Sequence, residues 1–378
     1  MRLRGRHYRT GEPVDVLCEQ GRITGVGPLA RQPADREGGW VGPALFDLQI
    51  NGCRGHSFNS PELTVEAVRE VVDVCRRHGI AGLCPTLVTN SFAALRHGFA
   101  VLRRACATDP VVADAVPGFH LEGPYISPED GPRGAHPQEH VRPPDWDEFQ
   151  RLQDAAGGHI RLVTLSPEYD SALSFIERLV ESGVVVAIAH TAATGPRIRA
   201  AIAAGARLST HLGNGSHAVL PRHPNYIWEQ LAADELWASF IPDGHHLPAS
   251  VVKCIVRVKT PARAIITCDA SSLAGLPPGR YAQWGTELEV LPGGKVVVPG
   301  TPFLAGSGVF TDDCVANAVA MAAVSLADAI DMASLRPREL LGLPPWGLEA
   351  GRPAKLMLFD WQPGDELRVR GISDESPG

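Results

Sequence analysis

The chain has 378 residues, 44% of them hydrophobic, and a formal net charge of -7 at pH 7. That length and apolar content can bury a large core, while the modest, dispersed negative charge argues against nucleic acid and anionic membranes as partners. The start MRLRGRHYRT is basic without an apolar segment, no run is long enough to span a membrane, and the 39 glycines and 32 prolines form no low-complexity tract, so a cytoplasmic globular protein is expected.

In chain order, residues 1–42 contain VDVLCEQGRITGVGP, which alternates in strand fashion around a Gln-Gly turn. Eight short apolar runs follow. They are PALFDLQIN (43–51), AGLCPTLVT (81–89), AVPGFHLEG (115–123), IRLVTLSPE (160–168), VVVAIAH (184–190), ARLSTHL (206–212), LWASFIPDG (236–244) and RAIITCDA (263–270). Helical patterns lie between most of them, for example VEAVREVVDVCRRHG (65–79), SALSFIERLVESG (171–183) and GPRIRAAIAAG (195–205). Strands alternating with helices imply parallel strands joined by right-handed crossovers, and eight of them imply a (β/α)8 TIM barrel. A doubly wound open sheet is the rival.

After the eighth run, TELEVLPGGKVVVPG (286–300) reads as a hairpin with a Gly-Gly turn, either an insertion or part of a terminal sheet. KLMLFDW (355–361) and LRVRGI (367–372) are again strand-like, and the tail SDESPG reads as disordered. Strands at both ends suggest a small β-sandwich domain formed by residues 1–42 with 341–378, and a barrel over 43–340 carrying the hairpin near 286–300. The eight cysteines are scattered and form no CxxC pair, which fits reduced, mostly buried thiols. Cys53, near the end of the first run, has a second reading as metal ligand or nucleophile.

The stretch FHLEGPY (119–125) poses the functional question, because an unpaired Glu122 at the edge of an apolar core would be costly. Gln49, Asn51, Glu122, His190, His211, Asp243 and Asp269 all fall at or just past the C-terminal ends of the runs. A barrel gathers those ends on one face, where its loops build an active site. Two imidazoles, His190 and His211, with the Glu122 carboxylate make a site for a divalent cation with an open position. The cation would supply the charge that Glu122 needs. Asp269 facing that cation suits a general base that later returns its proton. A lone histidine at a strand end is more often a satisfied core residue, so the argument rests on the combination.

The motifs HLEGP (120–124), AIAHTAAT (187–194), THLGN (210–214), PDGHH (242–246) and TCDA (267–270), with MASLRPRELLGL (332–343) and GRPAKLMLFD (351–360), resemble those of the N-acetylglucosamine-6-phosphate deacetylase family in the amidohydrolase superfamily, in the same order. The resemblance implies hydrolysis of N-acetyl-D-glucosamine 6-phosphate to glucosamine 6-phosphate and acetate. Where many amidohydrolases carry His-x-His, this chain has Gln49 and Asn51, which are weak transition-metal ligands. One divalent metal per chain is therefore expected, Zn2+ first, with Fe2+, Mn2+ or Co2+ as alternatives. The resemblance also implies that His136 reaches the substrate and that His246 polarises the acetyl carbonyl. It gives phosphate binding to Asn214 and Gly215, with Arg222 contributed by a neighbouring subunit, hence a homodimer. The stretch NGSHAVLPRHPNYIWEQ (214–230) is unusually aromatic and polar for the family, which leaves room for another N-acylated amino sugar. A cyclic-amide hydrolase and a non-catalytic sugar-binding barrel are the remaining alternatives.

Overall fold

The computed structural model describes residues 1–283, 286–301 and 304–373. Eight strands, Leu45–Ile50, Ile80–Val88, Phe119–Glu122, Ile160–Leu165, Val185–Ile188, Leu208–Ser209, Trp237–Phe240 and Ala264–Ile266, lie side by side in chain order in one sheet, and every neighbouring pair is parallel. Each falls within or overlaps one of the eight apolar runs. The sheet curls until its two edges meet: Ile50 bridges Ala270, and the Asn51 N–H donates to the Ala270 carbonyl at 2.9 Å.

Barrel strands are buried on both faces, so alternate residues serve two different cores. Phe46, Leu48, Leu162, Leu208 and Ile265 fill the barrel, and Trp346 and Leu341 close its floor. Leu45, Phe119, Leu121, Val163 and Phe240 face the other way, into the layer shared with the helices. The first helix, Val65–Arg77, shows why the segments between strands are helical. The Thr64 hydroxyl caps it through the Ala67 N–H, Val68, Val71, Val72 and Cys75 form its buried stripe, and Arg76 and Arg77 complement the dipole of the last turn. Gly79, at φ 76°, then turns the chain into the second strand.

Both termini build one six-stranded sheet in the order Arg368–Ser373, Leu356–Asp360, Arg36–Pro43, Arg2–His7, Pro13–Glu19, Arg22–Gly27. The Gln-Gly turn is where the sequence placed it, with Gln20 at φ 49° and Gly21 at φ 70°, the left-handed pair that a tight hairpin requires. A partly buried clamp fastens this sheet to the barrel. Tyr8 Oη donates to Asp331 Oδ1 at 3.0 Å, and Arg9 Nη2 donates to both Asp331 oxygens at 3.0 and 2.7 Å.

The expected hairpin near 286–300 is the centre of a larger element. Strands Gly279–Gln283, Thr286–Val290, Lys295–Val297 and Leu304–Ser307 form a four-stranded antiparallel sheet between the eighth barrel strand and helix Thr311–Ala322. It is an insertion, separate from the terminal sheet. Its last strand is tied to the end of the barrel, since the Ser307 N–H donates to the Asp269 carbonyl at 2.9 Å and the Ser271 N–H to the Ser307 carbonyl at 2.8 Å. Of the SDESPG tail, residues 374–378 lie outside the described residues. Cys18, Cys53, Cys75, Cys84, Cys268 and Cys314 are buried. Among the described residues no helix is long and apolar enough to cross a membrane.

Candidate active site

The third barrel strand answers the question raised by FHLEGPY. All four residues of Phe119–Glu122 are buried, but their side chains alternate. Phe119 and Leu121 join the layer under the helices, while His120 and Glu122 turn into the barrel. His120 is a satisfied core histidine: its Nε2 lies 2.8 Å from Thr164 Oγ1 and its Nδ1 3.3 Å from Thr86 Oγ1. Thr164 Oγ1 in turn hydrogen-bonds Thr210 Oγ1 at 2.8 Å. Burial pushes the His120 pKa down to about 4, so this layer is neutral. The barrel axis thus runs from an apolar floor through a hydroxyl-and-imidazole layer to a charged mouth.

At the mouth, Glu122 meets the histidines of the fifth and sixth strand ends. His211 Nε2 is 2.8 Å from Glu122 Oε1, His190 Nε2 is 3.4 Å from the same oxygen, and the two Nε2 atoms are 3.1 Å apart. Ligands held about 2.0–2.1 Å from a tetrahedral ion stand about 3.3–3.4 Å from one another. The three atoms therefore already form one face of such a polyhedron. The His190 Nδ1–H donates to the Pro132 carbonyl at 2.8 Å, which leaves the Nε2 lone pair for the site. Burial alone would raise the Glu122 pKa, but the two imidazoles hold it well below the usual carboxylate range. Donor set, spacing and charge fit a divalent cation.

His136 stands closer to this group than the sequence suggested. Its ring centroid is 4.4 Å from that of His190, and ligand atoms of Glu122, His136 and His190 all lie within 4.8 Å of one another. Glu122, His190 and His211 have the shorter mutual separations, and His136 lines the same cavity beside them. His136 Nδ1 is anchored to Thr89 Oγ1 at 2.8 Å, and burial pushes its pKa down to about 3, so the ring is neutral.

Asp269 closes the opposite side. It is half-buried, and its Oδ1 accepts a hydrogen bond from Asn51 Nδ2 at 2.7 Å. Burial, with the nearby Glu122 carboxylate adding to it, raises its pKa well above the usual range. Such a group is poised for proton transfer near neutral pH. His190, His211 and Asp269 share a further property: φ is 47°, 33° and 50°, the left-handed region that non-glycine residues avoid. Each such residue costs on the order of 1–3 kcal/mol, and surrounding contacts hold it there. For His211 one of these is its N–H donating to Ser239 Oγ at 2.8 Å.

These residues surround a cavity of about 440 Å³ whose wall also includes Asn51, His136, Asn214, Gly215 and His246. Among the described residues, Asn51 Oδ1 and Asn214 Nδ2, both on the cavity wall, are buried without a hydrogen-bond partner, the mark of a site that expects a ligand. Gln49 is buried outside the cavity wall, and so is Cys53, which plays no part in the site. Arg222 is exposed and does not reach the cavity of its own chain. His245 turns away and bonds the Gly293 carbonyl of the inserted sheet at 2.9 Å. The sequence reading assigned no role to Thr89, the Pro132 carbonyl or Asp243. Only Asp243 left a signal, three residues ahead of His246 in DGHH.

No protein-family model matches the chain. Among characterised proteins, the N-acetylgalactosamine-6-phosphate deacetylase of Escherichia coli O157:H7 is 31% identical over 369 residues, 95% of this chain and 94% of that protein. The N-acetylglucosamine-6-phosphate deacetylase of Homo sapiens is 33% identical over 386 residues, 97% of this chain and 88% of that protein. Among solved structures, a mutant N-acetyl-D-glucosamine-6-phosphate deacetylase of Mycobacterium smegmatis, in complex with N-acetyl-D-glucosamine-6-phosphate, gives a TM-score of 0.88 at 31% identity and covers 99% of this chain and 97% of its own. Identity at this level along nearly the whole length, on the same fold, means that the chain belongs to the N-acetylglucosamine-6-phosphate deacetylase family of the amidohydrolase superfamily.

Proposed function

We propose that this chain hydrolyses the acetamide of an N-acetylhexosamine 6-phosphate, with N-acetyl-D-glucosamine 6-phosphate as its substrate, releasing acetate and the amino-sugar phosphate. The observation that carries the reading is the convergence of Glu122, His190 and His211 on one point, with Asp269 across the same cavity. A single divalent ion held by those three residues, Zn2+ in preference to Fe2+, Mn2+ or Co2+, would supply positive charge and water activation. Asp269 takes the proton of the attacking water and returns it to the departing amine, a double role that a raised pKa favours. His246, on the cavity wall, donates to the acyl oxygen as charge develops there. His136, neutral and anchored by Thr89, contacts the sugar.

The phosphate is assigned to the backbone at Asn214 and Gly215, and Gly215 at φ 55° can turn its N–H into the cavity. Arg222 completes that pocket from a second copy of the chain, in a homodimer, since a guanidinium matches phosphate bidentately and this one is exposed on its own subunit. Residues 1–42 with 341–378 are assigned to one domain and 43–340 to the catalytic barrel. The buried thiols of Cys53, Cys75, Cys84, Cys268 and Cys314 fit a reducing compartment, the cytoplasm.

The test is acetate release from N-acetyl-D-glucosamine 6-phosphate, its galacto epimer and unphosphorylated N-acetylglucosamine, with and without chelator. Chelator should abolish turnover and added Zn2+ restore it. Arg222→Ala should weaken only the phosphorylated substrates. Turnover that survives chelation would sink the metal-site reading. Preference for the galacto epimer would support a second reading of the substrate, which the Escherichia coli relative favours.

A further inference from the structure

His246 is held by one residue that the reaction as described does not use. Its Nδ1 lies 2.7 Å from Asp243 Oδ2, while Asp243 Oδ1 accepts the backbone N–H groups of His245 and His246, at 2.8 Å each. The Asp243 side chain is only 1% exposed and that of His246 7%. The carboxyl does not line the cavity, whereas the ring does. Burial alone would raise the Asp243 pKa, but the His246 ring and the two amides hold it below the usual carboxylate range. A buried anion on this side requires a proton on Nδ1. The ring then presents Nε2 to the cavity either as a bare lone pair or as the second N–H of an imidazolium. Only the second form gives the buried carboxylate a counter-charge.

We propose that Asp243 is a positioning residue that holds His246 as an imidazolium, fixes the plane of its ring, and so makes Nε2–H a charged donor aimed at the acyl oxygen. This deepens the function proposed above and rests on it for the identity of the acceptor. The ring does no proton transfer: the proton on Nε2 stays there, and Asp269 alone carries the proton from water to amine. Around His246 stand Asp243 and His245 on its own loop, the Cys314 thiol on helix Thr311–Ala322 near Asp243, and Asp269, Glu122, His136, His190 and His211 on the cavity wall. His245 is turned to the Gly293 carbonyl, so Asp243 is the carboxylate in hydrogen-bond contact with the His246 ring.

Asp243→Asn separates this role from a structural one. The asparagine oxygen can keep both backbone caps, while its NH2 faces Nδ1 and forces the neutral tautomer with hydrogen on Nε2. The donor is kept and its charge is lost. We expect kcat to fall on the order of 10- to 100-fold with KM nearly unchanged and an unaltered melting temperature. 15N NMR of histidine-labelled, metal-loaded protein at pH 7 should show both His246 nitrogens protonated in the wild type and Nδ1 bare in the variant. A wild-type spectrum with a bare Nε2 overturns the proposal, whether or not the variant folds. So does a variant with wild-type kcat, or one that loses all turnover while staying folded, which would mean that Nε2 works as a base. Because the NMR readout needs no substrate, a protonated ring in a protein that deacetylates no hexosamine phosphate would refute the proposed function and leave the Asp243 assignment standing.

Discussion

At the floor of the barrel, Phe46 and Trp346 meet edge to face with centroids 6.0 Å apart, and Arg338 lies 4.0 Å over the Trp346 ring while its Nε donates to the Pro344 carbonyl. At the mouth, the same sheet ends in a buried glutamate, a half-buried aspartate, two histidines and three left-handed residues. The floor follows the ordinary rules of burial: apolar contact, and a cation spread over aromatic faces. The mouth breaks them, with like charges near each other, strained backbone and orphaned polar atoms. The floor contributes the stability that lets the mouth stay preorganised, so substitutions at the two ends should have opposite signatures.

The largest effect is expected from Asp269→Asn. Loss of the base should lower kcat by about 10²–10⁴-fold, measured as acetate release, while the metal-free protein becomes more stable. The sign follows from the raised pKa: between the ordinary carboxylate value and the raised one, the folded state keeps a proton that the unfolded state has lost. The aspartate therefore destabilises the fold increasingly as pH rises through that window. The melting-temperature difference between Asp269→Asn and wild type should grow from pH 4 towards pH 8, and a constant difference would break the contrast at its strongest point.

Phe46→Ala should do the reverse. It should cost about 3–5 kcal/mol in chemical denaturation and leave the turnover of the remaining folded enzyme almost unchanged. A large drop in kcat would mean that the floor and the mouth are coupled. Next comes the clamp at Asp331. Asp331→Ala leaves Tyr8 Oη and Arg9 without their carboxylate and should cost about 1.5–3 kcal/mol, again without changing kcat. Smallest is the acid response of the terminal sheet. The hydrogen bonds from Arg4 hold the Asp15 carboxyl below its usual range, opposed by burial, so its stabilisation is present above the ordinary carboxylate pKa and is lost as pH falls through the folded value. Amide exchange in Arg2–His7 should be faster relative to the barrel strands at pH 3 than at pH 6.

Much of this was legible from the residues. In VVVAIAH or RAIITCDA the short apolar run, set between helical patterns, reads as a strand buried on both faces, and the polar residue that ends it falls where a loop begins. That local logic located Glu122, His190, His211 and Asp269 without coordinates. Other features left no comparable trace. The inserted sheet adds two strands to the one hairpin that a Gly-Gly turn announced, because the other two, Gly279–Gln283 and Leu304–Ser307, lack a clear alternation of apolar and polar residues. The proximity of His136 to His190 depends on how a long loop folds back over the mouth, and sequence spacing does not encode that path.

By itself the sequence determined the alternation of strand and helix and the chemistry placed at each strand end, since both arise from patterns only a few residues long. Barrel closure decided the rest: it brings His211 to within 2.8 Å of Glu122, 89 positions earlier in the chain, and sets Asn51 against Asp269 across 218. The left-handed turns of His190, His211 and Asp269 and the tautomer imposed on His190 by the Pro132 carbonyl likewise exist only once distant segments pack, because each is held by partners that the unfolded chain does not keep in place.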